Sequence, residues 1–340
     1  MDTAGQFEYV RCNLCGADAP EPFAEGTDRL LKRGERFTLV RCSRCGLVYL
    51  NPRPALADLA RHYPPEYVAY KKIAAEQVGI MGRGTGRYAR LKNRIKQSIL
   101  ERYYGYPAAD TRGGLPRWRV RLFLGVFRRM YYRTVPWVAG GRVLDVGCGN
   151  AAYLAWLKQL GWQVQGVEID PGCVRYAREV FGIDVFAGRL RDAGFADESF
   201  DCITLWHSLE HCEDPSGILA ECRRILKKGG LLVICVPNVG SWEAALFKQR
   251  SLLCDLPRHF YDFSGRTLSR LLEKNALSLR HIRYLEDVPI IDWTLNGWLA
   301  EKNIPLRLPA GMWRSPLLRP LYALMERLRT ANVMICYARR

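Results

Sequence analysis

The chain has 340 residues, 49 % of them hydrophobic and 25 % charged, a balance that excludes disordered, collagenous and low-complexity classes. No apolar run approaches the roughly 20 residues that cross a bilayer; the longest, Leu231–Pro237, is strand-sized. The start of the chain shows no basic-then-apolar leader, so a cytoplasmic protein is expected. The net charge of +17 is unevenly spread: residues 51–140 hold 18 Lys and Arg against 5 Asp and Glu, while residues 141–240 hold 10 against 13. A basic segment beside a slightly acidic core suits an anionic partner such as a phospholipid surface, a phosphorylated substrate or nucleic acid. The plainer reading is a solvated surface.

Four of the 12 cysteines form two C-x2-C pairs, Cys12/Cys15 and Cys42/Cys45, with 26 residues between them. Each pair ends in glycine, which lets the backbone turn its amides toward the thiolates. The spacing predicts a tetrahedral four-cysteine zinc site, with iron or a redox dithiol as alternatives. Four thiolates leave no open coordination position, so the expected role is structural. About fifty residues with few large apolar side chains need such a staple. Residues 1–54 are therefore read as a small zinc-ribbon-like module, with short strands at Val40–Cys42 and Leu47–Leu50. The other eight cysteines fall among apolar positions and read as small buried hydrophobes.

Residues 55–140 read as a basic helical linker or docking segment with amphipathic helices at Tyr88–Tyr103 and Val120–Val135. In the first, Leu91, Ile95, Ile99 and Leu100 share one face and Lys and Arg the other. Such a helix suits an anionic membrane interface, or packs on the next domain with its cations in water. From residue 141 the pattern becomes alternating. Strands are predicted at Arg142–Cys148, Gln163–Ile169, Ile183–Ala187, Phe200–His207, Leu231–Pro237, Leu277–Leu285 and Val333–Arg339. Helices are predicted at Ala151–Leu160, Pro171–Phe181, Pro215–Leu226 and Arg266–Asn275. This is an α/β succession, implying a doubly wound, Rossmann-like seven-stranded sheet over residues 141–340 that binds ligands beyond the carboxyl ends of its strands. An insertion at about 286–332 holds Trp293, Trp298, Trp313 and an amphipathic helix around Leu317–Leu328.

The sharpest chemical signal is Val143–Asn150, a strand that runs into a Gly147-Cys148-Gly149 turn and then a helix. Its glycines, with Ala152 and Glu168, also fit a dinucleotide fingerprint, which alone is weak. Asp145 separates the readings: a carboxylate there attracts an amine-bearing cationic ligand and repels a pyrophosphate. Glu168, at the end of the next strand, suits the vicinal hydroxyls of a ribose. A ligand with a sulfonium, an α-amine and an adenosine ribose fits best.

With these residues the chain resembles the class I S-adenosylmethionine-dependent methyltransferases. Arg142–Asn150 is similar to the family's first motif and Gly166–Asp170 to its acidic second one. Phe200–Ile203 with Trp206–His211 resembles the fourth strand and its loop, and Arg224–Gly230 the block before strand five. The resemblance implies that Asp145, Gly147 and Gly149 hold the methionine part, Glu168 the ribose with Ile169 beside it, and Gly188–Leu190 the adenine edge.

The loop after strand four carries His207, Glu210 and His211, where a histidine of near-neutral pKa can take a proton from an acceptor hydroxyl. Quinone-pathway O-methyltransferases have Glu-x-x-Glu-His at the matching place, linked to a divalent metal; here His207 stands at the first of those positions. Pro257–Phe263 adds His259 as a second base candidate and Arg258 as an anion clamp. The expected activity is O-methylation of a small or lipid-linked metabolite of sugar, polyketide or isoprenoid type, with peripheral contact to an anionic membrane surface. The zinc-type start also resembles that of sugar methyltransferases. The alternatives are an RNA methyltransferase with an N-terminal zinc module and a binding module that uses the cofactor without turnover. Against RNA, strand four ends in Trp206-His207-Ser208-Leu209 rather than in Asn/Asp-Pro-Pro-Tyr.

Overall fold

The computed structural model describes residues 7–31, 33–63, 74, 78, 87–107, 133–248, 251, 254–309 and 312–340. The chain divides into two compact units: residues 1–68, 194–198 and 204–340 form the first, and residues 69–193 and 199–203 the second.

The first unit opens with β1 (Phe7–Glu8), a long hairpin of β2 (Pro20–Asp28) and β3 (Arg33–Cys42), then β4 (Val48–Leu50), β5 (Arg53–Pro54) and the single-turn α1 (Leu56–Leu59). The sequence reading reaches the end of β3 and β4 but not β2. Its Pro20, Pro22 and Gly26 disfavour a strand, and β2 is tolerated because it lies at the edge of its sheet with a register shift after Pro22.

In the second unit, α2 (Arg87–Tyr104) covers the expected Tyr88–Tyr103 helix. It buries Ile95, Ile99 and Leu100 and leaves Leu91 46 % exposed. Three of its four apolar positions are therefore spent on packing. Beyond it, the Tyr106 hydroxyl donates to the Val135 carbonyl at 3.0 Å and accepts from Trp162 Nε1 at 2.9 Å. The second amphipathic helix expected over Val120–Val135 falls, for residues 120–132, outside the described residues. Then come β6 (Arg142–Val146), α3 (Ala152–Gln159), β7 (Gln163–Glu168), α4 (Pro171–Phe181), β8 (Val185–Ala187) and β9 (Phe200–Trp206), which the two units share. Helix α4 starts where expected because Asp170 caps it, accepting from the Cys173 amide at 2.7 Å, with Pro171 at the first turn. Gly166 in β7 has no substitute: a Cβ there would sit 2.7 Å from Cys148 Sγ and 3.0 Å from Leu154.

The first unit resumes with α5 (Pro215–Ile225), β10 (Leu226–Pro237), α6 (Trp242–Phe247), β11 (Tyr261–Asp262), α7 (Gly265–Lys274), β12 (Ser278–Leu285), α8 (Val288–Glu301), α9 (Arg319–Arg327) and β13 (Val333–Arg339). One sheet of seven strands runs β12–β13–β10–β9–β6–β7–β8, with β6, β7 and β8 parallel and β13 antiparallel to both its neighbours. The expected α/β sheet is present, and six of its seven strands lie within two residues of the sequence reading at both ends. The exception is β10, which starts five residues early, directly after α5.

A four-stranded sheet runs β11–β4–β3–β2. Its last member comes from residues far downstream: Tyr261 pairs with Tyr49, and the Leu50 amide donates to the Phe260 carbonyl at 2.9 Å. The first cysteine turn is also tied in, because Asn13 donates to Asp214 at 2.8 Å and accepts from the Ser216 amide at 3.0 Å. The cysteine-rich start is thus built into the same unit as residues 204–340.

Arg258 explains much of that union and corrects its expected role as an anion clamp. It is 0 % exposed and already committed, donating to Asp28 from both terminal nitrogens (2.9 and 3.0 Å), to Asp255 from Nε (2.8 Å) and to the His62 carbonyl (2.9 Å). Burial alone would raise the Asp28 carboxyl, but His62, Arg258 and the Leu31 amide outweigh it and hold its pKa well below the usual carboxylate range. A depressed folded-state pKa means that this stability is present above about pH 4 and is lost as pH falls below it. Removing one partner of a buried pair leaves a charge uncompensated. Asp28→Asn should therefore destabilise the chain by about 3 kcal/mol at pH 7 in urea unfolding, with a smaller loss near pH 3; an equal loss at both pH values would contradict the ion-pair account.

Candidate active site

In the second unit, β6 delivers Asp145, 2 % exposed, one residue before the strand ends. The chain then turns with Gly147 at φ 73° and Gly149 at φ 52°, both in the left-handed region that side chains avoid. The Gly147 and Cys148 amides donate to the Val167 carbonyl at 2.8 and 3.2 Å, which stitches the loop to β7. Glu168 completes the stitching. One carboxylate oxygen accepts from the Gly149 amide at 2.8 Å, and the other from the Ile169 and Asp170 amides at 2.8 and 3.0 Å. Burial raises the Glu168 pKa, and the three amides pull it back only in part.

A carboxylate offers about four acceptor positions, so three amides leave one. Gripping both hydroxyls of a ribose therefore requires Glu168 to release the Gly149 amide. Ile169 is 61 % exposed and offers an apolar surface beside it, whereas Leu190 is 1 % exposed and its side chain belongs to the core.

The first unit holds the acceptor-side candidates. His207 follows β9 with φ 52°, an unusual backbone for a non-glycine residue, and such outliers gather at functional sites. Its amide donates to the Cys235 carbonyl at 2.9 Å, and its Nδ1 lies 3.3 Å from Glu210 Oε1. Partial burial works against charging His207, but Cys235 and Glu210 outweigh it and leave its pKa well above the ordinary value. Glu210 is 0 % exposed. Burial would raise its pKa, yet His207, His211 and His259 together hold it below normal. A charged carboxylate therefore sits under three imidazoles.

His211 and His259 meet edge to face with centroids 4.6 Å apart. His211 Nδ1 lies 3.0 Å from the Arg258 carbonyl and 3.1 Å from the Tyr63 hydroxyl, which assigns its proton to Nδ1 and leaves Nε2 as the basic nitrogen. Burial, then His259, lowers the His211 pKa to about 4, so it is neutral at pH 7. His259 Nδ1 accepts from the Asp255 amide at 3.4 Å and lies 3.9 Å from Asp262. Burial, with Glu210 and Asp255 nearby, pushes Asp262 up to about 8.

The four residues singled out from sequence are thus gathered around Glu210. Sequence reasoning missed Tyr63, Asp255 and Asp262; the last two flank His259 at close spacing, which was the available signal. Glu210, His211 and His259 bring one donor atom each to within 4.8 Å of the others. Such a grouping could hold a metal ion, and His207 adds a fourth titratable side chain 3.3 Å from Glu210.

The four cysteines of the N-terminal turns converge as well. Cys12 and Cys45 Sγ are 3.4 Å apart and Cys15 and Cys42 Sγ 3.6 Å, with all four within 4.8 Å of one another. A tetrahedron with 2.3 Å metal–sulfur bonds has edges of about 3.8 Å, whereas a disulfide needs about 2.05 Å. The two turns repeat one hydrogen bond, Gly16 amide to Cys12 carbonyl and Gly46 amide to Cys42 carbonyl, each 2.8 Å. The donor set fits zinc.

Comparison with known proteins bears on the same stretch. Residues 144–234 match a family model described as a methyltransferase domain. The ubiquinone biosynthesis O-methyltransferase of Xanthomonas oryzae is 34 % identical over 137 residues, which cover 37 % of this chain and 57 % of that protein. The Pseudomonas entomophila protein of the same name is 31 % identical over 37 % of this chain and 58 % of its own length. That of Albidiferax ferrireducens is 27 % identical over 48 % and 69 %. The chain therefore spans little more than half the length of the first two relatives. A methyltransferase structure from Archaeoglobus fulgidus aligns with 65 % of this chain and 94 % of its own at 21 % identity and a TM-score of 0.43. Residues 144–234 thus carry a methyltransferase domain. Over the matched stretch the chain is similar to proteins named ubiquinone biosynthesis O-methyltransferase.

Proposed function

We propose that the protein uses S-adenosylmethionine to methylate a hydroxyl of a small or lipid-linked metabolite, the isoprenoid type above all. The observation that carries the reading is the glycine turn pinned to Glu168, with Asp145 at the end of β6. When bound, the cofactor supplies a methyl group on a positively charged sulfur. Asp145 meets its ammonium, and Glu168 turns from the Gly149 amide toward the ribose. Ile169 offers apolar surface to the adenine, and the main chain of residues 188–190 serves its edge, the Leu190 side chain being buried.

On the acceptor side, His211 takes the hydroxyl proton at Nε2 while its Nδ1 proton stays on the Arg258 carbonyl. Glu210 offsets the charge that His211 gains, and His207 keeps Glu210 ionised in the resting state. His259 orients His211 from the edge. Methyl transfer needs little beyond alignment and exclusion of water, so these residues position the oxygen as much as they move its proton. An isoprenoid-linked acceptor is met at a bilayer, so peripheral contact with an anionic membrane goes with this reading. No helix among the described residues is long and apolar enough to cross one. Cys12, Cys15, Cys42 and Cys45 hold a structural zinc that clamps the two turns.

Incubation of the chain with methyl-labelled cofactor and a lipid extract should place label in the organic phase. His211→Ala should slow this by about a hundredfold, the lower range for a lost general base. Because the His211 pKa is depressed, the wild-type rate should stay level down to about pH 5 and fall only as His211 protonates near pH 4. Label confined to RNA, or a rate indifferent to His211→Ala, would contradict the proposal. Cys12→Ser should release about one equivalent of zinc and destabilise the N-terminal turns; wild-type protein free of zinc by elemental analysis would end the zinc assignment.

A further inference from the structure

The insertion between β12 and β13 leaves a row of leucines uncovered. Leu321 and Leu324 follow one another at helical spacing along α9, Leu328 caps its C-terminus, and Leu317 precedes them by one turn. They are 44 %, 51 %, 61 % and 88 % exposed. Another side of the helix is anchored inward by buried Tyr322, whose hydroxyl donates to the Trp313 carbonyl at 2.7 Å. A helix of a globular protein turns its apolar stripe to the core; α9 turns this one to solvent. Just upstream, Ile304 and Leu306 are 40 % and 56 % exposed.

The charge around this stripe has one sign. Residues 302–329 hold 6 Lys and Arg and a single acid, Glu326. Among the cations, Lys302, Arg307, Arg319, Arg327 and Arg329 are exposed. We propose that the leucine face of α9 docks on an anionic phospholipid surface, its leucines entering the boundary between headgroups and acyl chains and its cations lying among the headgroups.

Charge selects this occupant over the others. Two copies meeting through the same face would bring like charges together without acids to offset them. A nucleic acid would engage the cations but offer the leucines nothing apolar to enter. Helix α2, which the sequence marks for a membrane role, has buried its own apolar side. The proposal deepens the lipid-linked reading and rests on it for the reason a bilayer is visited, but docking itself is measured without any methyl acceptor.

The full chain is sedimented with vesicles of phosphatidylcholine alone and of phosphatidylcholine with phosphatidylglycerol. It should pellet with the anionic vesicles, stay largely in solution with the neutral ones and be released by added salt. Leu321→Glu/Leu324→Glu should weaken partitioning by about tenfold or more, and Leu321→Ser/Leu324→Ser, which adds no charge, by several-fold. Both leucines are exposed, so both variants should melt as the wild type does. No pelleting with anionic vesicles, full binding by both variants, or a dimer in light scattering that both variants dissociate would overturn the proposal. Lost vesicle binding with S-adenosylmethionine binding intact in calorimetry would remove the docking surface alone. Vesicle binding without cofactor binding would instead remove the methyltransferase reading.

Discussion

A single buried carboxylate shapes the cofactor side of this protein. Glu168 sits at the last position of β7 and accepts from three backbone amides, one of them on the far glycine of the turn after β6. An amide buried without a partner costs about 1–3 kcal/mol, so Glu168 holds the turn in shape. Under the proposed function the same lone pairs would also serve the ribose, at the expense of the Gly149 amide. The turn also approaches β7 closely: a Cβ at Gly166 would lie 2.7 Å from Cys148 Sγ.

The first unit shows how a four-cysteine cluster and a histidine–carboxylate cluster come to share one scaffold. The segment from Asp255 to Asp262 supplies β11 to the N-terminal sheet, His259 to the cluster, and the Arg258 carbonyl that sets the tautomer of His211. The side chain of the same arginine is locked by Asp28 at the end of β2 and by Asp255. Main chain and side chain of one residue thus connect the hairpin to the histidines. A distortion of the N-terminal hairpin would be felt at His211 through no more than one side chain and one carbonyl.

Much of this was legible in the sequence, for reasons that differ by element. Helix α4 is readable to the residue because Asp170, Pro171 and Gly182 are strong local punctuation. The strands of the large sheet are readable because apolar runs of strand length alternate with capped helices. Strand β2 was not, since its prolines and glycine speak against a strand and only pairing with β3 overrides them. Strand β11 was not, because two residues that join a sheet formed some 200 positions earlier leave no local pattern. At the site, His207, Glu210, His211 and His259 were visible as chemistry-bearing types in loops. The partners that define their protonation, Tyr63, Asp255 and the Arg258 carbonyl, were not, because a backbone oxygen and a distant hydroxyl carry no mark in sequence. Arg258 was misread for a related reason: an arginine beside a histidine looks like an anion binder until its buried carboxylates are known.

The account depends most on the claim that Asp145, the glycine turn and Glu168 form a seat for a cationic sulfur donor and not for a dinucleotide. Calorimetric titration of the intact chain with S-adenosylmethionine and, separately, with NADH tests it directly. Saturable one-to-one heat with the sulfonium compound and none with NADH is the expected result. Tight binding of NADH with no response to S-adenosylmethionine would contradict the assignment of the site.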